Sequence, residues 1–76
     1  MGELVAFMAR NLVENPDAVI VREVEGPDSI IVELRVAPED MGKVIGKQGK
    51  TANAIRTIVK AAAVKDGRKV ILDVDQ

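Results

Sequence analysis

The spacing of apolar positions along this chain shifts between three-to-four residues and two, and the shifts outline a helix, two strands, two helices and a last strand. In residues 3–13, Leu4, Val5, Phe7, Met8 and Leu12 recur at mixed three- and four-residue spacings. This predicts an amphipathic helix with those five on its core stripe, ended by Asn15-Pro16-Asp17 because proline cannot continue a helix. Residues 19–25, VIVREVE, are rich in β-branched side chains and run into Gly26-Pro27-Asp28, a strand entering a hairpin turn. Residues 29–36, SIIVELRV, alternate, with Ile30, Val32, Leu34 and Val36 on one side and Ile31, Glu33 and Arg35 on the other. Residues 69–75, KVILDVD, repeat the pattern with Val70, Leu72 and Val74 inward. Each strand has one core side and one wet side, so helices are expected on one face of the sheet only.

Between the second and last strands, Ala37-Pro38-Glu39-Asp40 reads as a helix start, since proline suits the first turn and acids complement the positive end of the helix dipole. A short helix to about Ile45 should follow. After a pair of glycines, residues 50–64 predict a longer helix with Ile55, Ile58, Val59 and Ala62 buried and Asn53, Arg56, Thr57 and Lys60 opposite, stopped by Asp66-Gly67. A crossover through two helices lets the second and third strands run parallel, while the hairpin pairs the first two antiparallel. The expected architecture is α+β, in the order α-β-β-α-α-β, with a three-stranded mixed sheet and three helices on one face, as one domain over residues 1–76.

Composition narrows the function. In 76 residues there is room for one core only, and 47% hydrophobic with 30% charged residues is the profile of a soluble globular domain. The chain has no cysteine and no histidine, so it lacks disulfides, thiolate nucleophiles, Cys-ligated metal and the commonest general base. An enzyme is not expected, nor a cofactor, a metal or a small-molecule substrate. No apolar run approaches the roughly 18 residues of a membrane span, and the N-terminal stretch MGELVAFMARNLV is too polar-interrupted for a signal peptide, which points to a cytoplasmic protein.

The net charge of −1 conceals a segregation. Residues 1–40 hold three basic side chains against nine acidic ones, whereas residues 41–65 hold Lys43, Lys47, Lys50, Arg56, Lys60 and Lys65 and no acid. Screening confines each charge to roughly 10 Å at physiological salt, so the basic block can attract phosphates although the whole chain is slightly acidic.

Inside that block lies VIGKQGKTANAIR, residues 44–56. A nucleotide-binding P-loop would need a glycine at residue 44, where valine stands, and a strand before the loop. What remains is Gly46-Lys47-Gln48-Gly49 joining a short helix to a longer one. Glycine allows a sharp turn and a close approach, the following helix offers amide groups and the positive end of its dipole, and Lys47 and Lys50 add full charges there. Each of these features favours phosphate. Asp73 and Asp75 lie on one side of the last strand, but two carboxylates without further ligands are more often solvated than metal-bound. Ile31 and Ile71 sit on the polar sides of their strands and would form an apolar patch if those strands are neighbours.

The run Val44 to Gly49, followed by an amphipathic helix in a strand-helix-loop-helix-strand setting, resembles the KH family of single-stranded nucleic-acid-binding domains, whose G-x-x-G loop clamps about four nucleotides. The extra helix and strand before the shared core look like the type II, prokaryotic arrangement. With the flanking run ELRVAPEDMGKVIGKQGKTANAIRTIVKAAA, the chain looks most like the KhpA family of small bacterial KH proteins, a resemblance that covers essentially its whole length. Ala52 stands where many KH domains carry a larger aliphatic residue. The resemblance makes Gly46, Lys47, Gln48 and Gly49 the RNA clamp, with Ile45 and the early residues of the following helix as one groove wall and the last strand and the loop near Lys65 to Arg68 as the other. Lys43, Lys50 and Arg56 complete the candidate RNA-binding set.

The resemblance further implies an RNA chaperone or post-transcriptional regulator that self-associates, pairs with a larger Jag-type KH protein and affects cell-wall homeostasis and cell length. Phe7, the only aromatic residue, is assigned to the core, so bases would be held without aromatic stacking. The alternative is a protein-interaction subunit of an RNA–protein complex with little RNA affinity of its own, docking through the sheet or through the Ala61–Ala63 helix face.

Overall fold

The computed structural model describes residues 1–75, apart from the side chain of Asp66; Gln76, the last residue of the expected domain, lies outside that description. The elements are α1 (Gly2–Leu12), β1 (Ile20–Glu25), β2 (Ser29–Arg35), α2 (Met41–Ile45), α3 (Lys50–Ala63) and β3 (Lys69–Asp75), with short 3-10 turns at Pro16–Ala18, Pro38–Asp40, Lys47–Gly49 and Val64–Asp66. This is the α-β-β-α-α-β order expected.

The sheet runs β1-β2-β3, antiparallel between β1 and β2 and parallel between β2 and β3. Gly26 N–H donates to the Ser29 carbonyl at 2.7 Å and closes the hairpin, which pairs Val24 with Ile31 and Ile20 with Arg35. The crossover returns β3 alongside β2 with Ile30 opposite Val70 and Val32 opposite Leu72. Central β2 puts Ile30, Val32 and Leu34 wholly inside, and β3 adds Val70 and Leu72. Burying an aliphatic side chain contributes roughly 1.5–3 kcal/mol, so these five are the main support of the sheet.

The helices cover that one face with small and medium residues. From α1 come Val5, Ala6 and Ala9; from α2, Val44; from α3, Ala52, Ile55, Val59 and Ala63. Two expected stripes are corrected here. Phe7 is 65% exposed and Leu12 is also on the surface, because the buried line of α1 runs through Val5, Ala9 and half-buried Val13, and Phe7 stands about 200° around the helix from Val5. In α3 the buried line steps from Ala52 to Ile55, Val59 and Ala63, so Ile58 is 48% exposed and Ala62 is exposed too. In both helices an alanine takes the inward position beside an exposed larger residue, which brings the helix axis close to the sheet.

Gly67, with φ 68° in the left-handed region, turns the chain out of the last 3-10 turn into β3. The open face of the sheet carries Val24, Ile31 and Ile71 in one cross-strand row, so the isoleucines are neighbours and the expected apolar patch is present, with Ile71 46% exposed. The next row along is charged: Arg22, Glu33 and Asp73, with Arg22 and Glu33 at 3.6 Å.

Candidate nucleic-acid interface

The loop between α2 and α3 is a single tight turn whose path only certain residues permit. Gly46 has φ 76° and ψ 173°, a region closed to side chains, and a Cβ placed there would lie 2.7 Å from Thr51 Cβ and 2.8 Å from Thr51 N. Gly49 is left-handed at φ 76° and ψ 11° but faces open space, its nearest neighbour Asn53 Nδ2 at 3.9 Å. Gln48 lies between them at φ 58° and ψ 28°, the one non-glycine residue with positive φ among the described residues. The first glycine thus permits the close approach of α2 to α3, while the second only permits the bend.

The turn consumes part of the donor set expected for phosphate. Gly46 N–H donates to the Gly42 carbonyl at 2.9 Å and Gly49 N–H to the Gly46 carbonyl at 3.1 Å, while Lys50 N–H bonds to the Lys47 carbonyl. Those three amides are spent internally. What faces outward is the side-chain layer: Lys47, Gln48 and Lys50 are exposed, and Lys47 and Lys50 form no ion pair among the described residues. They stand at the N-terminus of a 14-residue helix, where the dipole adds positive potential. Ile45 is exposed at the edge of the same turn.

Two more residues of the candidate set are held by protein partners. The Lys43 ammonium lies 3.4 Å from Glu14 Oε1 and 3.8 Å from Asp40 Oδ1. Arg56, half-buried on the side of α3 nearest β3, donates from Nη1 to Asn53 Oδ1 at 3.0 Å and from Nη2 to the Leu72 carbonyl at 3.5 Å. Its guanidinium is therefore fixed between α3 and the edge strand with further N–H groups unassigned. Near the expected opposite wall, Arg68 pairs with Glu25 at 3.4 Å.

One residue was read differently from sequence. Asp40, taken there as a helix-dipole acid, is only 1% exposed and accepts backbone N–H groups from Glu14 and Asn15. The preceding Ala37-Pro38 signals a turn but carries no hint of a partner 25 residues upstream. A surface hollow of about 320 Å³ between α1 and β1 is lined by Gly2, Glu3, Ala6, Arg10, Val21 and Glu23, none of them in the candidate set. Among the described residues no group of three or more acidic side chains could hold a metal, and no helix is long and apolar enough to cross a membrane.

The sequence profile of the KhpA/KhpB KH domain matches residues 2–74. The chain belongs to the KhpA/KhpB KH-domain family. Its curated relatives in this family include proteins named RNA-binding protein KhpA from Caldanaerobacter subterraneus subsp. tengcongensis, 65% identical, and from Clostridium perfringens, 60% identical, each over 97% of this chain and 99% of the relative. Another, from Aquifex aeolicus, is 47% identical over 97% of this chain and 94% of the relative. The KhpA/KhpB family is one of RNA-binding KH proteins, not of enzymes. Among solved structures, Era in complex with MgGDPNP and nucleotides 1506–1542 of 16S ribosomal RNA superposes with a TM-score of 0.66 at 23% identity, over 97% of this chain and 28% of that one. An Aquifex aeolicus Era variant bound to GDP and aluminium fluoride gives 0.65 at 24% identity, over 96% and 28%. These two likenesses concern the fold, and this chain spans little more than a quarter of either Era chain.

Proposed function

We propose that this chain is a single-stranded RNA-binding protein, one KH domain over residues 1–76, whose loop 46–49 receives the RNA sugar-phosphate backbone. The observation that carries the reading is a sharp, exposed turn at the N-terminus of α3 flanked by two lysines that the protein leaves unpaired among the described residues. Family membership supports it, since the relatives cited are named for RNA binding. Lys47, Gln48 and Lys50 reach the phosphates, Gly46 and Gly49 set the path, and Ile45 offers apolar surface to a base. Arg56 presents its remaining N–H groups beside the β3 edge, and Lys43 contributes from within its ion pairs. With these four cations engaged, log affinity should fall with log salt at a slope of about −3.

The wider reading is a cytoplasmic RNA chaperone or post-transcriptional regulator that self-associates, works with a larger Jag-type KH protein and influences cell-wall homeostasis and cell length. Exposed Ile58 and Phe7 on the helix layer are available surface for such association. A second reading, a protein-interaction subunit with little RNA affinity, is favoured by the apolar row Val24, Ile31 and Ile71 on the open sheet. One experiment decides between them. Replacing Lys47 and Gln48 together with aspartate should abolish retention of RNA at low salt while circular dichroism stays native. Undiminished RNA binding by the folded variant overturns the clamp, and RNA-independent capture of one protein partner by wild type that retains no RNA favours the second reading.

A further inference from the structure

We propose that Asp40 is a positioning residue for the 46–49 loop, holding α2 at the angle that delivers the chain to Gly46. The inference rests on the RNA-binding reading for its consequence but not for its geometry. Asp40 closes the 3-10 turn that enters α2, and an acid there ordinarily caps its own helix. This one does not. Its Oδ1 accepts the Glu14 N–H at 3.2 Å and its Oδ2 the Asn15 N–H at 3.1 Å, both in the segment that links α1 to β1. Lys43 closes the arrangement from one turn along α2, 3.8 Å from Asp40 Oδ1 and 3.4 Å from Glu14 Oε1. The buried Asp40 side chain is thus hydrogen-bonded by two backbone amides and paired with a lysine, and the start of α2 is tied to a segment some 25 residues earlier in the chain.

A five-residue helix is too short to keep its direction by its own hydrogen bonds. It is held by what grips its ends: Asp40 at the start and Val44, fully buried, near the finish. Ile45 and Gly46 follow at once, and Gly46 passes Thr51 so closely that no Cβ would fit. There is no slack between the grip and the loop, so a tilt of α2 must appear as a change in the turn.

Asp40→Asn keeps the shape and places an NH2 group against one of the two backbone N–H donors. Val32→Ala, a truncation in central β2, serves as the control for lost stability alone. The measurements are amide hydrogen exchange at Gly46 and Gly49 and binding of a fluorescein-labelled oligouridine decamer over a salt series, at a temperature where circular dichroism shows each variant folded. Asp40→Asn should speed exchange at both loop amides and weaken decamer binding, each about tenfold, with the salt slope unchanged because no phosphate contact is removed. Val32→Ala should alter neither beyond its global loss. Wild-type loop exchange and wild-type affinity in folded Asp40→Asn overturn the proposal. Failure of the wild type to bind the decamer would count against the RNA reading, while the exchange comparison would still decide the role of Asp40. Should Asp40→Asn not fold, Lys43→Gln, which leaves both N–H bonds in place, should shift the loop amides in the same direction by about threefold, and no shift overturns the proposal.

Discussion

Replacing Gly46 and Gly49 in turn with alanine separates the two reasons a glycine can be needed. At Gly49 the backbone is left-handed with open space around the missing side chain, so the cost is conformational only, about 1 kcal/mol. At Gly46 the conformation belongs to a region essentially confined to glycine, costing roughly 1–3 kcal/mol. The new Cβ there would also overlap Thr51 Cβ and Thr51 N at 2.7 and 2.8 Å, and relieving such overpacking costs roughly 1–3 kcal/mol more. The combined loss of about 4 kcal/mol is a large part of the roughly 4–11 kcal/mol expected for a domain of this size. Thermal unfolding followed by circular dichroism should show Gly49→Ala lowering Tm by about 4–8 °C and Gly46→Ala lowering it by at least about 15 °C. Adding Thr51→Ala to Gly46→Ala should recover about 1 kcal/mol, since Thr51 Oγ1 is among the overlapping atoms but the Thr51 backbone remains. Equal losses for the two glycines would refute the reasoning, because the fold would then feel only the bend and not the contact.

Phe7→Ala should change unfolding free energy by no more than about 0.5 kcal/mol, as for a surface site, where a core phenylalanine would lose about 3–5 kcal/mol; urea titration distinguishes the two. Arg56→Ala removes the bonds to Asn53 and to the Leu72 carbonyl and should cost about 1 kcal/mol in stability. In a salt series it should also reduce the magnitude of the RNA-binding slope by about 0.7. If the affinity and slope of this variant match wild type, Arg56 is a packing residue only.

The period-two stretches were the legible part of this chain, because β2 and β3 bury aliphatic residues at every second position, and Ile31 and Ile71 on the other side are too few to blur that alternation. The hairpin was equally legible from Gly26-Pro27-Asp28, and the parallel return from the two helices that separate β2 from β3. Helix phase was harder. Phe7 and Ile58 pull a hydrophobic stripe toward themselves, yet Ala6, Ala9, Ala52 and Ala63 take the inward positions, and alanine leaves no mark in a stripe judged by bulk. The loop was found from its glycines and lysines, but the internal use of the Gly46, Gly49 and Lys50 amides follows from turn geometry that residue types do not encode. The partners of Asp40 were not legible, because a carboxylate before a helix looks the same whether it faces its own amides or those of a segment folded against it.

The proposed binding mode lays RNA along the turn between α2 and α3. Ultraviolet crosslinking of the purified protein to a labelled single-stranded RNA, with the modified residues located by mass spectrometry, tests this most directly. Adducts are expected within residues 43–56, foremost at Lys47, Gln48 and Lys50, and should disappear as salt rises. Adducts centred on the open sheet row of Val24, Ile31 and Ile71, or on the exposed side of α1 around Phe7, would contradict it.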